Sequence, residues 1–242
     1  NEIVFLNEAY TKYLNELIHQ FINDNSVEGL DAIASHGHTI LHNPKAGYTL
    51  QIGNLQSLKN NIDCPIICDF RVQDVKLGGQ GAPLVPIGDR FLFFFYDFCL
   101  NLGGFSNISF ERDGERIAFD ICPVNTVLNY YANKINLEYD ADGKVAQLGE
   151  VSLDLLKELN ANPFFSKSFP KSLGIEFVFE EVIPLINTFE LEIKDILATY
   201  VEHIAFQISK QLLNSEGKMI ITGGGAFNSF LIRTKSSYHN SK

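Results

Sequence analysis

Two glycine turns carry the strongest chemical signal in this 242-residue chain. In Cys99-Leu100-Asn101-Leu102-Gly103-Gly104-Phe105-Ser106-Asn107, an apolar strand reaches a Gly-Gly step and a second strand leaves it. In Met219-Ile220-Ile221-Thr222-Gly223-Gly224-Gly225-Ala226-Phe227-Asn228, a strand reaches three glycines and a helix start. Backbone without side chains lets amide N–H groups approach phosphate closely, and a helix N-terminus adds its dipole. Gly103-Gly104 taken alone reads first as a tight hairpin turn, and the polar Asn101, Ser106 and Asn107 around it add donors that weigh towards a ligand. Neither turn has the Gly-x4-Gly-Lys-Ser/Thr or Gly-x-Gly-x-x-Gly spacing of the common nucleotide loops.

Asp120 is the carboxylate placed for proton transfer. It ends the apolar run Ile117-Ala118-Phe119 and precedes Pro123. A carboxylate at the C-terminal end of a strand, facing a cleft, suits a general base; the same position suits an N-cap for the segment after Pro123. Ser35-His36-Gly37-His38-Thr39 offers two imidazoles without a third ligand nearby, so polar loop contacts are the favoured reading over metal binding. Asp69 and Asp74 flank Arg71, either as a local ion pair or as partners that ready Arg71 for a sugar or phosphate. Asp140-Ala141-Asp142-Gly143 begins like a calcium loop, but Val151 stands at the closing position, so it reads as a turn.

These residues need a scaffold. Leu6, Tyr10, Leu14, Leu17 and Phe21 form one stripe of an amphipathic helix. Asp31 to Ser35 is a short apolar run, Tyr48 to Ile52 alternates as a strand, and Gln56 to Asn60 reads as a short helix. Cys64 to Phe70 reads as a buried strand, and the Gly78 to Pro83 run as a loop. Asn107 to Phe110 and Arg116 to Phe119 form a β-meander that stops at Asp120, with Glu111 to Arg116 as its solvated tip. Thr126 to Ile135 reads as a helix burying Val127, Leu128, Tyr131 and Ile135, and Leu153 to Leu159 as another. Leu191 to Leu213 holds the strongest helical stripe, and Met219 to Thr222 reads as a strand buried on both faces. The expected class is α/β, with mixed sheets flanked by helices.

At 45% hydrophobic residues the chain is globular and long enough for one large domain or two lobes. A formal charge of −10 argues against a nucleic-acid partner but leaves room for a nucleotide, whose site needs only local donors. The four cysteines Cys64, Cys68, Cys99 and Cys122 lie in apolar runs, which predicts buried free thiols and a reducing cytoplasm. Phe91 to Phe95 is apolar but bracketed by Asp89, Arg90 and Asp97, so no membrane partner is expected and no signal peptide is visible. The chain opens within helix-like sequence at Asn1 and closes on Ser236 to Lys242 without an apolar pattern. Both ends read as cut.

The motifs occur in the order found in one family. Ser35-His36-Gly37-x-Thr39, Leu50-Gln51-Ile52-Gly53-Asn54, Asp69-Phe70-Arg71-x-x-Asp74 and Gly78-Gly79-Gln80-Gly81-Ala82-Pro83-Leu84-Val85-Pro86 come first. Leu100-Asn101-Leu102-Gly103-Gly104, Phe119-Asp120, Pro170-Lys171-Ser172-x-Gly174 and Gly223-Gly224-Gly225-Ala226-x-Asn228 follow. With them the chain resembles the anhydro-N-acetylmuramic acid kinases, from about Leu30 to Leu231. The resemblance implies a two-lobed actin-like ATPase (ribonuclease H-like) fold, residues 1–97 giving the first lobe and 98–242 the second. It implies an ATP- and Mg²⁺-dependent phosphotransferase of peptidoglycan recycling. Water opens the 1,6-anhydro ring while O6 is phosphorylated, giving N-acetylmuramic acid 6-phosphate.

On this resemblance Asp120 is the catalytic base, and Thr39, Arg71, Pro123 and Val124 bind the sugar. Gly103, Gly104 and Asn107 form a second phosphate hairpin; Gly223, Gly224, Gly225 and Asn228 belong to the nucleotide motif; no metal ligand is assigned. A homodimer is compatible with the family. Two departures stand out. Cys122 and Val124 replace glycines of the family's Phe-Asp-x-Gly-Pro-Gly-Asn run. The family's opening Gly-Thr-Ser-Leu-Asp-Gly loop and its closing segment do not occur, so the first phosphate loop is expected to precede Asn1. The alternative reading is a non-catalytic nucleotide- or sugar-binding member, or an inactive fragment, of the same fold.

Overall fold

The computed structural model describes residues 2–43, 46–79, 81–212 and 217–239. The chain forms two compact units, Asn1–Leu84 and Val85–Lys242.

In the smaller unit, α1 (Glu2–Asp24) is followed by β1 (Ile33–Ala34), β2 (His38–Asn43), β3 (Tyr48–Ile52), β4 (Ile66–Ile67) and α2 (Phe70–Lys76). β1 pairs with β4 in parallel, and β2 with β3 antiparallel. The α1 stripe is only partly used. Tyr10 and Leu14 lie over Gly53 at the end of β3, whereas Leu6, Leu17 and Phe21 remain exposed. The expected buried strand over Cys64 to Phe70 contracts to Ile66–Ile67, and Ile67 is exposed. Among the described residues, four large apolar side chains are buried here, Ile52, Leu58, Ile62 and Val75.

The larger unit begins with α3 (Val85–Leu92), which packs on the sheet that follows it. That packing is why the units part at Leu84/Val85, upstream of a division after residue 97. The sheet contains β5 (Phe98–Leu102), β6 (Phe105–Arg112), β7 (Glu115–Pro123) and β8 (Met219–Thr222), in the order β7-β6-β5-β8. β5, β6 and β7 form the antiparallel meander, and β8 adds parallel to β5, so the sheet is mixed. A parallel neighbour needs a long crossover. It runs through α4 (Asn125–Asn133), α5 (Leu153–Ala161), α6 (Ile175–Phe177), a π turn at Val178–Val182, α7 (Ile183–Asn187) and α8 (Ile193–Gln211). α9 (Ser229–His239) follows β8 and packs on α8.

α8 is the spine of the unit. Leu197, Tyr200, Val201, Ile204, Ala205 and Ile208 are all buried, as expected of a helix apolar over most of its circumference. Ser152 starts α5 by accepting the Leu155 amide through Oγ at 3.3 Å, a cap worth about 1 kcal/mol. The α/β class, mixed sheet and flanking helices are as expected. Other expectations shift. β8 is an edge strand and only half-buried, and Ile135 lies beyond α4 and is exposed. β7 runs on through Asp120 to Pro123, with a bulge at Ile121, which has no partner between Ser106 and Asn107 on β6. The hairpin tip is not wholly solvated. Arg116 folds inward to Ser109 Oγ (2.9 Å) and Cys99 Sγ (3.3 Å), with Asp89 3.9 Å away. The four cysteines are free, Cys99 and Cys122 buried, Cys64 and Cys68 half-buried. Among the described residues no helix is long and apolar enough to cross a membrane.

Candidate active site

β5 and β8 are parallel neighbours with Asn101 opposite Thr222, so both glycine turns leave the sheet at the same end. Gly223 has φ +83°, and a Cβ there would stand 2.6 Å from the Leu102 carbonyl oxygen. Only glycine lets β8 turn this close to β5. The Gly-Gly step is a hydrogen-bonded turn as well. Gly104 O accepts the Val124 amide (2.8 Å), the Thr126 amide (3.2 Å) and Thr126 Oγ1 (3.0 Å), while Gly103 O accepts the Asn125 amide (3.2 Å). Asn125 Nδ2 donates to Leu102 O at 3.2 Å, which joins the start of α4 to the first turn. Gly104, Gly223 and Gly224 remain exposed. Hairpin and ligand cradle are therefore compatible at Gly103-Gly104. Thr126 is a residue the sequence did not single out; a hydroxyl two positions past Pro123-Val124 was the available signal.

Asp120 is half-buried and sits opposite Asn107 in the β6–β7 register. Its main-chain amide donates to Lys171 O (3.0 Å), and its Oδ2 accepts the Leu173 amide (2.8 Å). It does not cap α4, whose N-cap is Val124 without a side-chain bond. Burial raises the Asp120 carboxyl above the ordinary aspartate value, and the Leu173 amide partly offsets this. Leu173 was invisible as a partner, because any residue type supplies an amide and the contact spans distant sequence; only the Pro170–Gly174 run marked the region.

The neighbouring Cys122 is fully buried, its thiol pushed up to about 12 by burial, and Ser106 Oγ bonds its carbonyl at 3.0 Å. Val124 has φ −127°, so neither it nor Cys122 needs the left-handed backbone that favours glycine. Pro123 and Val124 are buried, and Pro123 O accepts the Tyr200 hydroxyl at 3.1 Å.

Asn228 is nearly buried, and its Oδ1 accepts the Leu231 amide at 3.0 Å inside α9. The Asp140–Gly143 segment is a structural turn. Asp140 accepts the Val145 and Ala146 amides, and Asp142 accepts the Ser229 amide. A cavity of about 400 Å³ bordered by Phe94, Asp97, Phe98, Glu111 and Arg112 opens at the other end of β5, away from the glycine turns.

In the smaller unit, Arg71 lies in the first turn of α2 and donates through Nε to His36 Nε2 at 3.0 Å. His36 Nδ1 lies 3.0 Å from Gly37 O, so it carries the proton. The two bonds of the His36 ring, accepting at Nε2 and donating at Nδ1, fix its orientation beside Arg71. Among the described residues Arg71 makes no ion pair, and the flanking carboxylates work elsewhere. Asp69 accepts from Asn54 Nδ2 (3.1 Å), and Asp74 accepts the Gly81 amide (2.6 Å), fastening the glycine loop to α2. Gly37 has φ +69°, and a Cβ there would strike Ile52 O, which explains the glycine after His36. Thr39, on β2, accepts from Gln51 Nε2 at 3.2 Å. Gln80 lies outside the described residues. Among them, no cluster of three His, Cys, Asp or Glu is assembled to hold a metal ion. Asp120 and both glycine turns belong to the larger unit; Thr39 and Arg71 belong to the smaller.

Comparison with known proteins bears on this arrangement. An "Anhydro-N-acetylmuramic acid kinase" from Shewanella baltica is 35% identical over 220 residues, covering 85% of this chain and 59% of its own length. One from Pseudomonas syringae pv. tomato is 38% identical over 218 residues, covering 86% and 60%. The chain therefore spans about three-fifths of the curated relatives it matches. Among solved structures, the activator of the 2-hydroxyisocaproyl-CoA dehydratase from Clostridium difficile with bound ADPNP aligns at 15% identity, over 87% of this chain and 85% of that one. Its TM-score is 0.41. The family model "Anhydro-N-acetylmuramic acid kinase" matches residues 2–238, and the chain belongs to that family.

Proposed function

We propose that the full-length protein is an ATP-dependent kinase that converts 1,6-anhydro-N-acetylmuramic acid and water to N-acetylmuramic acid 6-phosphate. The observation that carries this reading is Asp120. It is a half-buried carboxylate with a raised pKa, on the strand order that also presents two glycine turns, in a chain of this family. In the reaction Asp120 accepts a proton from the water that attacks the anomeric carbon. The bond from that carbon to O6 breaks, and O6 takes the phosphoryl group. A base more basic than ordinary aspartate is better matched to this proton transfer near neutral pH.

The glycines at 103–104 and 223–225, of which Gly104, Gly223 and Gly224 are exposed, fit a nucleotide, because backbone replaces side chain where a Cβ would fill the space between the turns. ATP, when bound, supplies the phosphoryl group. Gly103, Gly104, Gly223, Gly224 and Gly225 would hold it. Asn107 lines the same sheet, and Asn228 fixes the start of the helix after the glycines. Thr39 and Arg71 would bind the sugar, with Arg71 aimed by His36. Pro123 and Val124 set the chain path from Asp120 to α4. Mg²⁺ belongs to this reading, but no described residue is assigned to it. The two units are read as parts of the two lobes of an actin-like ATPase, in a cytoplasmic enzyme of cell-wall recycling, and a homodimer is compatible.

Incubating the full-length protein with the anhydro sugar, ATP and Mg²⁺ and following ³¹P NMR tests the reading. A sugar 6-phosphate signal that grows only with ATP present supports it. Calorimetric binding of ATP or sugar without turnover would favour a non-catalytic binding member instead.

A further inference from the structure

β7 is the edge of its sheet, yet its Asp120 is not left open. The Asp120 amide donates to Lys171 O, and the Leu173 amide donates back to Asp120 Oδ2, a main-chain rung followed by a main-chain-to-carboxylate bond. The strap that makes these bonds is itself anchored. Phe169 stacks on Phe119 at 5.4 Å with an interplanar angle of 10°. Lys171 Nζ lies over the Phe164 ring at 4.9 Å and the Phe119 ring at 6.0 Å, and Leu173 packs against the core. Main chain and packing, not a flexible side chain, thereby fix the rotation of the carboxylate. Oδ1 has no hydrogen-bond partner among the described residues.

We propose that the Lys171–Leu173 strap is the positioning element of the general base, and that Asp120 Oδ1 is the atom that takes the proton. This rests on the reading of Asp120 as the base. An untethered carboxylate would rotate and offer either oxygen. Holding Oδ2 leaves one oxygen in one direction, which is what a positioned base requires. The tether also favours the ionised form, so a buried carboxylate stays available as a base. The surrounding charges do not perform this task. Asn107, opposite on β6, is neutral. Lys171 faces the aromatic rings, Tyr200 on α8 is bonded to Pro123 O, and Asp89 on α3 and Arg116 on β7 face one another. Leu173 and Lys171 are positioning residues; they need not touch substrate.

The test is an amide-to-ester replacement at Leu173 in the full-length protein, which removes the N–H and keeps the side chain. Leu173→Ala, which keeps the N–H, serves as the packing control, and Leu173→Pro as a second way to remove the donor. Two quantities are read: the acid limb of the kcat/KM–pH profile, and the ¹³C chemical-shift titration of the Asp120 carboxyl. The ester and Leu173→Pro should move both to higher pH and lower kcat/KM below the limb by about tenfold. Leu173→Ala should leave the limb in place, even where it lowers Tm. An Asp120 titration unmoved by the ester overturns the strap's role. A titration that moves while the limb stays overturns the assignment of Asp120 as base, and with it Oδ1, but leaves the tether standing.

Discussion

The two units hold their candidate residues by different means. In the larger, Asp120 and the glycine turns sit on a four-stranded sheet backed by α8, and main-chain bonds fix them. In the smaller, Arg71 depends on one side-chain bond to an exposed histidine, over strands of two to six residues with few buried side chains. The contrast matches the proposed division of labour. Proton transfer and phosphate positioning need sub-ångström placement, which a packed sheet supplies; sugar recognition tolerates a unit that adjusts.

The largest test of that contrast is stability. Ile204→Ala, in the fully buried spine, should cost about 2–5 kcal/mol and lower the Tm of the whole larger unit. Leu58→Ala, beside α1, should cost less, and amide hydrogen exchange should already be faster across the smaller unit in the wild type. Equal protection in both units would remove the basis of the comparison.

Gly223→Ala comes next. The added Cβ meets the Leu102 carbonyl oxygen at positive φ, at a cost of about 1–3 kcal/mol. Thermal-shift titration with ATP should show that the stabilisation by nucleotide falls along with basal Tm. Loss of Tm alone, with nucleotide stabilisation intact, would make this glycine purely architectural.

Acid stability separates the units further. His203, buried on α8, donates through Nδ1 to Asn160 Oδ1 at 2.8 Å, and burial pulls its imidazole down to about 3. The fold therefore favours the neutral ring. The stability this gives is full above the ordinary imidazole value near 6.5 and is lost as pH falls from there towards about 3. Denaturant titration should show the larger unit weakening over that window by up to a few kcal/mol. His203→Gln should flatten the slope.

The smallest effect belongs to His36. Because Arg71 can only donate, His36 must accept through Nε2, and His36→Ala should raise KM for the sugar by about threefold to tenfold with kcat and Tm nearly unchanged. Glutamine at 36, which keeps an acceptor, should restore part of the loss.

Much of the larger unit was legible because its signals are periodic. The α8 stripe, the meander and the strand–glycine junctions follow from spacing alone, and the structure keeps them. What was not legible depends on distant partners. Arg116 reads as a hairpin-tip charge until α3 brings Asp89 beside it. Met219 to Thr222 is as apolar as a central strand, yet it lies at the edge, and the sequence does not state strand order. The Leu6–Phe21 stripe predicts a buried face, but only Tyr10 and Leu14 find Gly53. At the candidate site the residue types were readable, and the amide that holds Asp120 was not.

The central claim is that Asp120 is the base of a ring-opening phosphorylation. The most direct measurement is kcat for the anhydro sugar in Asp120→Asn of the full-length protein, with ATP and sugar affinities measured by calorimetry on the same sample. Asparagine keeps an acceptor for the Leu173 amide and removes a buried charge, so the fold should hold or gain Tm. With Asp120 as the base, kcat should fall by about 10²–10⁴-fold while both affinities change little. Turnover at the wild-type rate would contradict it.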